Sequence, residues 1–144
     1  MPKAKDLKEL ENLIKAKISK SLQTSVAQVG RETMKEKIED VVYAVYEPVL
    51  YERQKDDGGL TDDENILTTM VNDTTLSIES HRMDGDKNVS EVIVSGDGYD
   101  FEFPYYGRPR DFVEATKEEL ADTRGHVAAL YVGLKKQGLD VKVK

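Results

Sequence analysis

An α+β fold is predicted by three features of this 144-residue sequence. An apolar stripe at three- and four-residue steps fills its first third. Short β-branched and aromatic runs between turn residues fill its middle, and a second amphipathic pattern opens after a proline near its end. The expected architecture is a long N-terminal helix, an antiparallel sheet of three or four strands, and a C-terminal helix packed on that sheet. The length suits a single domain over 1–144, burying roughly two-thirds of its unfolded surface. Within it we expect a helical region at 1–47, a loop at 48–65, the sheet at 66–104 and the C-terminal helix at 109–137.

The first stripe runs through Leu7, Leu10, Ile14, Ile18, Leu22, Val26 and Val29. It resumes past Gly30 with Met34, Ile38, Val41, Val42 and Val45. Asp6 has the chemistry of an N-cap, and Glu9 three residues on completes a capping-box pattern. Pro48 closes the stripe, because the residue before a proline is pushed out of the α region. About 40 helical residues span on the order of 60 Å, longer than a compact domain of this size. Either Gly30 marks a kink between two helices, or one helix projects and packs on a neighbour.

Arg53 to Asn65 holds four Asp, one Glu and two Gly. That composition predicts a loop that buries too little apolar surface to order alone and becomes fixed on contact with a neighbour. Ile66–Met70, Thr74–Ser80, Glu91–Ser95 and Tyr99–Phe103 read as strands, separated by Asn72-Asp73, Met83-Asp84-Gly85-Asp86 and Gly96-Asp97-Gly98. The final helix starts near Pro109, which suits a first helical turn. Val113, Leu120, Val127 and Leu134 repeat every seven residues, with Thr116, Thr123 and Leu130 between them. Two threonines in that seam favour packing on the sheet and the N-terminal helix over a free-standing coiled coil. Gly138, after Lys135 and Lys136, provides a C-terminal stop. Val141–Lys144 is a frayed tail or an edge strand.

Charge is distributed in blocks. Residues 56–104 carry 2 basic and 13 acidic side chains, whereas each flanking block is slightly basic, for a net charge of −7. No basic footprint for nucleic acid is present. The acidic middle reads first as a solvated face, and otherwise as a partner surface or a lining that repels DNA. Hydrophobic residues make up 38% of the chain against 34% charged, with three Phe and no Trp. A core so modest points to apolar surface buried against another subunit, with a small soluble monomer of polar surface as the alternative. The chain has no cysteine, so disulfides, thiolate metal sites and thiol nucleophiles are excluded. No run reaches the ~20 apolar residues of a membrane span, and Met1-Pro2-Lys3-Ala4 leads into an amphipathic pattern, not a signal peptide. We therefore expect a soluble protein made in a cytoplasm.

Catalytic and metal chemistry is not legible. Asp84-Gly85-Asp86-Lys87-Asn88 begins like a calcium loop, but Val89 stands where Gly is required and Ser95 where Glu is required. A polar hairpin turn accounts for it. Asp62-Asp63-Glu64 reads as a solvated loop or helix start. His81 and His126 are the only histidines. They lie 45 positions apart and read as surface or boundary residues without a positioned partner. No catalytic, metal or cofactor residue is assigned, and no enzymatic activity is expected. Six of the seven tyrosines fall into clusters at Tyr43, Tyr46 and Tyr51 and at Tyr99, Tyr105 and Tyr106. Tyrosine enrichment tips these slightly towards an interface.

Several words, in order, resemble a family of small neck and tail-completion proteins of long-tailed bacteriophages. They are Tyr46-Glu47-Pro48, Tyr51-Glu52-Arg53, Gly58-Gly59-Leu60 with Asp63-Glu64-Asn65, Gly96-Asp97-Gly98-Tyr99, Gly107-Arg108-Pro109-Arg110-Asp111-Phe112, and Leu134–Leu139. Together they cover most of residues 43–139. Where that family opens its last helix with Arg-Pro-Phe, here Arg110 and Asp111 separate Pro109 from Phe112. The resemblance implies an α+β subunit of a homo-oligomeric ring in the virion neck, joining the head's portal to the tail and touching other neck, connector and tail proteins. It carries no catalytic residues to transfer. A tail-terminator-like cap is the competing ring, and a non-viral interaction module a distant third. The interface candidates are Tyr46, Tyr51, Arg53, Leu60, Tyr105, Tyr106, Arg108 and Phe112. Asp84, Asp86, Asp97 and Asp100 would face passing DNA, contacting it at most non-specifically.

Overall fold

The computed structural model describes residues 5–49 and 51–143; the lead-in Met1–Ala4 and the last residue of the Val141–Lys144 tail lie outside them. The long helix is continuous. It comprises α1 (Leu7–Ser21), a π-helical turn at Leu22–Val26, α2 (Ala27–Ile38) and a second π-turn at Glu39–Tyr43. At 1.5 Å per residue this is roughly 55 Å. Asp6 caps it as expected, accepting the Glu9 backbone N–H at 2.8 Å. No kink occurs at Gly30. A side chain there would collide with Ile78, so Gly30 is where the sheet reaches the helix most closely.

The π-turns have a purpose visible in the stripe. Ile18, Leu22, Val26, Gly30, Met34, Ile38 and Val42 are spaced by four residues throughout. An α-helix turns about 100° per residue, so each such step drifts about 40°, and six steps drift about 240°. A π-turn takes up one extra residue, and two of them return about 200°. The stripe therefore stays on one face, and Val26, Gly30, Met34, Ile38 and Val42 are all buried.

The α+β class holds, with the strands arranged as two separate ribbons. β1 (Ile66–Asn72) pairs antiparallel with β2 (Thr75–Ser80), Ile66 opposite Ser80 and Met70 opposite Leu76. β3 (Met83–Asp84) and β4 (Lys87–Asn88) form a minimal hairpin around Gly85-Asp86. The calcium-like word is thus a polar turn.

Two expected strands are not strands. Residues 89–95 form the helix α3 (Val89–Ser95). Asn88 caps it by accepting the Glu91 N–H, and Gly96 ends it in the left-handed region, so end signals override a β-branched run. Tyr99–Phe103 pairs with no strand and bends at Asp100 and Phe101. Gly96 and Gly98 both have positive φ before it, and Pro104 removes a donor after it.

The C-terminal helix is also revised. It is two helices, α4 (Phe112–Thr123) and α5 (Gly125–Lys136), broken at Arg124, which has φ 54°. It begins at Phe112 and not near Pro109, because Asp111 takes the cap by accepting the Glu114 N–H. Gly138 ends α5 as expected, its N–H on Lys135 O and the Leu139 N–H on Leu134 O. Residues 141–143 take no regular structure, so the tail is not an edge strand. Among the described residues no helix is long and apolar enough to cross a membrane.

One core draws on the second half of the long helix, the loop after it, β1, α3 and α4. Met34, Ile38, Val42, Tyr43, Leu60, Ile66, Ile93 and Phe112 form it, with Ile78 and Tyr99 against its edge. The loop after the long helix is anchored to this core, contrary to its composition. Leu60 is 2% exposed, and Asp62 accepts the N–H groups of Gly58 and Glu64. The Asn65 amide donates to the carbonyls of Gly58 and Gly59. One apolar anchor and a closed set of hydrogen bonds order what the acidic count alone predicts to be loose.

Candidate functional site

Two surfaces stand out once the core is assigned. The first is the free end of the long helix. No residue from Leu7 to Lys20 is buried, and the stripe residues Leu7, Leu10 and Ile14 are 85%, 42% and 37% exposed. The Gln137 amide donates to Lys17 O at 2.7 Å and the Lys17 ammonium to Gln137 O at 2.9 Å, and on another side Asp73 of the β1–β2 turn lies near Asn12 and Lys15. Beyond that clasp the helix continues with its apolar side uncovered by the subunit.

The second surface is an aromatic, arginine-bearing cleft of about 610 Å³. Its walls come from the loop after the long helix, the β3–β4 hairpin, α3 and the segment 99–103. Tyr99, Phe101, Phe103 and Tyr105 gather along and just beyond that segment. Phe103 is the hub, with ring centroids 4.6 Å from Tyr99, 5.3 Å from Tyr46, 5.4 Å from Phe101 and 6.5 Å from Tyr105. Residues 99–103 were expected to form a strand of the sheet. Without a partner strand they pack on one another instead.

Cations sit on these rings. The Arg53 guanidinium lies 4.9 Å from the Tyr43 ring and donates to Tyr43 O at 3.0 Å. Lys55 approaches the same ring at 5.3 Å. Arg110 lies 5.0 Å from the Tyr105 ring and 5.6 Å from Phe103, its Nη2 donating to Tyr99 Oη at 2.8 Å. Burial pushes the Tyr43 phenol above its ordinary value, countered by Thr61, the Leu60 backbone and Arg53. It stays a neutral wall residue near neutral pH. Arg82 and Lys87, the two cations of the acidic middle, also line the cleft.

The sequence-predicted interface residues divide sharply. Leu60 and Phe112 are 2% and 0% exposed and belong to the subunit's own core, because apolar side chains of that size fill the contact between α2, β1 and α3. Tyr46, Arg53 and Tyr105 are half-buried in or beside the cleft, and Tyr51, Tyr106 and Arg108 are exposed. Tyr99 was read only as part of a tyrosine cluster, and Phe103 and Arg110 were not singled out for a site. The signal available for them was the aromatic alternation from 99 to 105 and the insertion that places Arg110 before the helix. His81 follows β2, 3.9 Å from the Glu79 carboxylate, and His126 opens α5 with its Nδ1 unpartnered. Each is half-buried on a different element. Asp84, Asp86, Asp97 and Asp100 are all exposed, and Asp100 pairs with Lys87 at 3.1 Å.

Comparison with known proteins adds the family context. The family model named YomN matches residues 6–136 of this chain. A Bacillus subtilis (strain 168) protein named "SPbeta prophage-derived uncharacterized protein YomN" is 34% identical over 142 residues, covering 94% of this chain and 97% of the relative. No solved structure matches the chain.

Proposed function

The chain belongs to the YomN family, and we propose that it is a structural adaptor of a phage particle, one subunit of a neck ring between the head's portal and the tail. The observation that carries this reading is the projecting helix with its uncovered Leu7, Leu10 and Ile14. A helix that leaves its own domain with an apolar stripe buries that stripe in an assembly. The prophage origin in the relative's name supports a particle as that assembly. Exposed Asp84, Asp86 and Asp97 give the subunit an acidic side that, turned to the lumen, keeps passing DNA from binding. The adaptor needs no catalytic group, metal or cofactor, works in the virion after synthesis in the host cytoplasm, and meets other neck, connector and tail proteins through its rim.

A deletion in the producing phage tests this directly. Loss of the gene should leave DNA-filled heads and separate tails, and reconstruction of wild-type virions should place the protein at their junction. A ring that stays on the end of isolated tails and is absent from tailless heads would identify a tail-terminator-like cap instead. Complete infectious particles without the protein would remove the adaptor reading.

A further inference from the structure

Arg110 is 6% exposed and charged, yet its environment does not satisfy it. A guanidinium presents five N–H donors in one plane. Nη2 reaches Tyr99 Oη, Nη1 reaches Val42 O only at 3.5 Å, and Nε has no acceptor. Among the described residues no carboxylate lies within 4.0 Å of it. The rings of Phe103 and Tyr105 interact with the cation but supply no conventional hydrogen-bond acceptor. Buried charges in folded proteins are ordinarily paired. Arg110 has no such pair, and it lines an open cleft although its Nε is itself shut off from solvent.

We infer that this cleft receives an otherwise neutral segment of a partner protein bearing one Asp or Glu, its carboxylate closing on the Arg110 guanidinium while a neighbouring apolar side chain rests on the aromatic mouth. Carboxylate is the anion whose two oxygens match a guanidinium edge. Tyr51 and Phe101, 55% and 53% exposed, line the cleft and offer the apolar rest. Lys55 adds a second cation with no carboxylate within 4.0 Å among the described residues. The rim argues against nucleic acid: Glu52, Asp84 and Asp100 also line the cleft, and a polyphosphate would meet them before reaching Arg110. A single carboxylate on an otherwise neutral strand passes between them. The inference does not depend on the ring, since the cleft lies within one subunit.

The probe is the capped peptide acetyl-Leu-Glu-Phe-amide, titrated into the full chain with NMR detection of arginine side-chain N–H signals. The Arg110 Nε–H should shift on titration, and the Gln counterpart should bind at least about tenfold more weakly. Arg110→Lys should show the same loss, and Lys55→Ala a smaller one. If Arg110→Lys unfolds, the wild-type Nε–H shift and the Glu-to-Gln ratio decide alone. Equal affinity for the two peptides, or no Arg110 shift up to about 10 mM peptide, overturns the inference. Tighter binding of oligo-dT than of the peptide overturns it in favour of nucleic acid. A shift of Arg110 that follows protein concentration without peptide overturns it in favour of a second copy of this chain.

Discussion

Gly96 ties α3 to the segment that walls the cleft, and replacing it with alanine should be among the most damaging single-methyl changes in the molecule. It ends α3 with φ 81°, accepts the Gly107 N–H at 2.9 Å, and lies beside the bond from Arg110 N to Ile93 O. A Cβ at this position meets the Arg108 backbone, 2.6 Å from its oxygen and 2.7 Å from its nitrogen. No rotamer change relieves a clash with main chain. Left-handed strain for an L residue costs about 1 kcal/mol, and overpacking adds about 2 kcal/mol. At about 3–4 °C per kcal/mol for a chain of this length, Gly96→Ala should lower Tm by about 10 °C. Gly107→Ala is the control. It has φ 70° but nothing within 4 Å of the added methyl, so only the strain remains and Tm should fall by about 3 °C. Calorimetric or circular-dichroism melts of both variants provide the measurement. Equal losses would show that the Arg108 contact yields, and the reasoning from close approach would fail.

Three further outcomes are expected. Phe112→Ala removes a side chain that is 0% exposed and should destabilise the fold by about 3–5 kcal/mol in denaturant titration; a loss under about 1 kcal/mol would mean that Phe112 is not a core residue. Leu10→Lys should leave Tm of the isolated subunit nearly unchanged while abolishing assembly in sedimentation, since Leu10 touches no core; an unaltered assembly state refutes the role given to the projecting stripe. Asp62 is held below its ordinary 3.8, first by the Glu64 N–H and then by the Gly58 N–H. A depressed folded value adds stability that is full above 3.8 and fades as pH falls through the lower folded value. The stability gap between wild type and Asp62→Asn should therefore be constant from pH 7 to about 5 and shrink below 3.8. A gap that is flat down to pH 2 removes the loop clasp from the account.

What the sequence carried, and what it hid, comes down to which signals compete at each position. Asp6 with Glu9, and Gly138 after a basic pair, are end signals with no rival, and both act as expected. Val89–Ser95 held a conflict: Val92, Ile93 and Val94 favour a strand, whereas Asn88, Glu91 and Gly96 bound a helix. In so short an element the caps fix a larger share of the backbone than propensity does, so the helix wins. Phe112 and Leu60 were legible as apolar, but whether such a residue faces its own core or a neighbour depends on contacts from distant parts of the chain. Arg110 lay beyond reach for the same reason, since its lack of a carboxylate is a property of the whole cleft.

The long helix is the instructive case, because its geometry was present in the spacing. From Ile18 to Val42 the stripe residues recur at every fourth position, with Gly30 as one of them. A stripe with steps of three and four follows an α-helix, whereas an unbroken step of four walks off its face within a few turns. Such a run in a single helix demands that extra residues be absorbed, and two π-turns do so at Leu22–Val26 and Glu39–Tyr43. The second of them brings Val42 and Tyr43, adjacent in sequence, both into the core. Tyr43 then forms the base on which Arg53 and Lys55 sit, so the phase correction in the helix also sets the floor of the cleft.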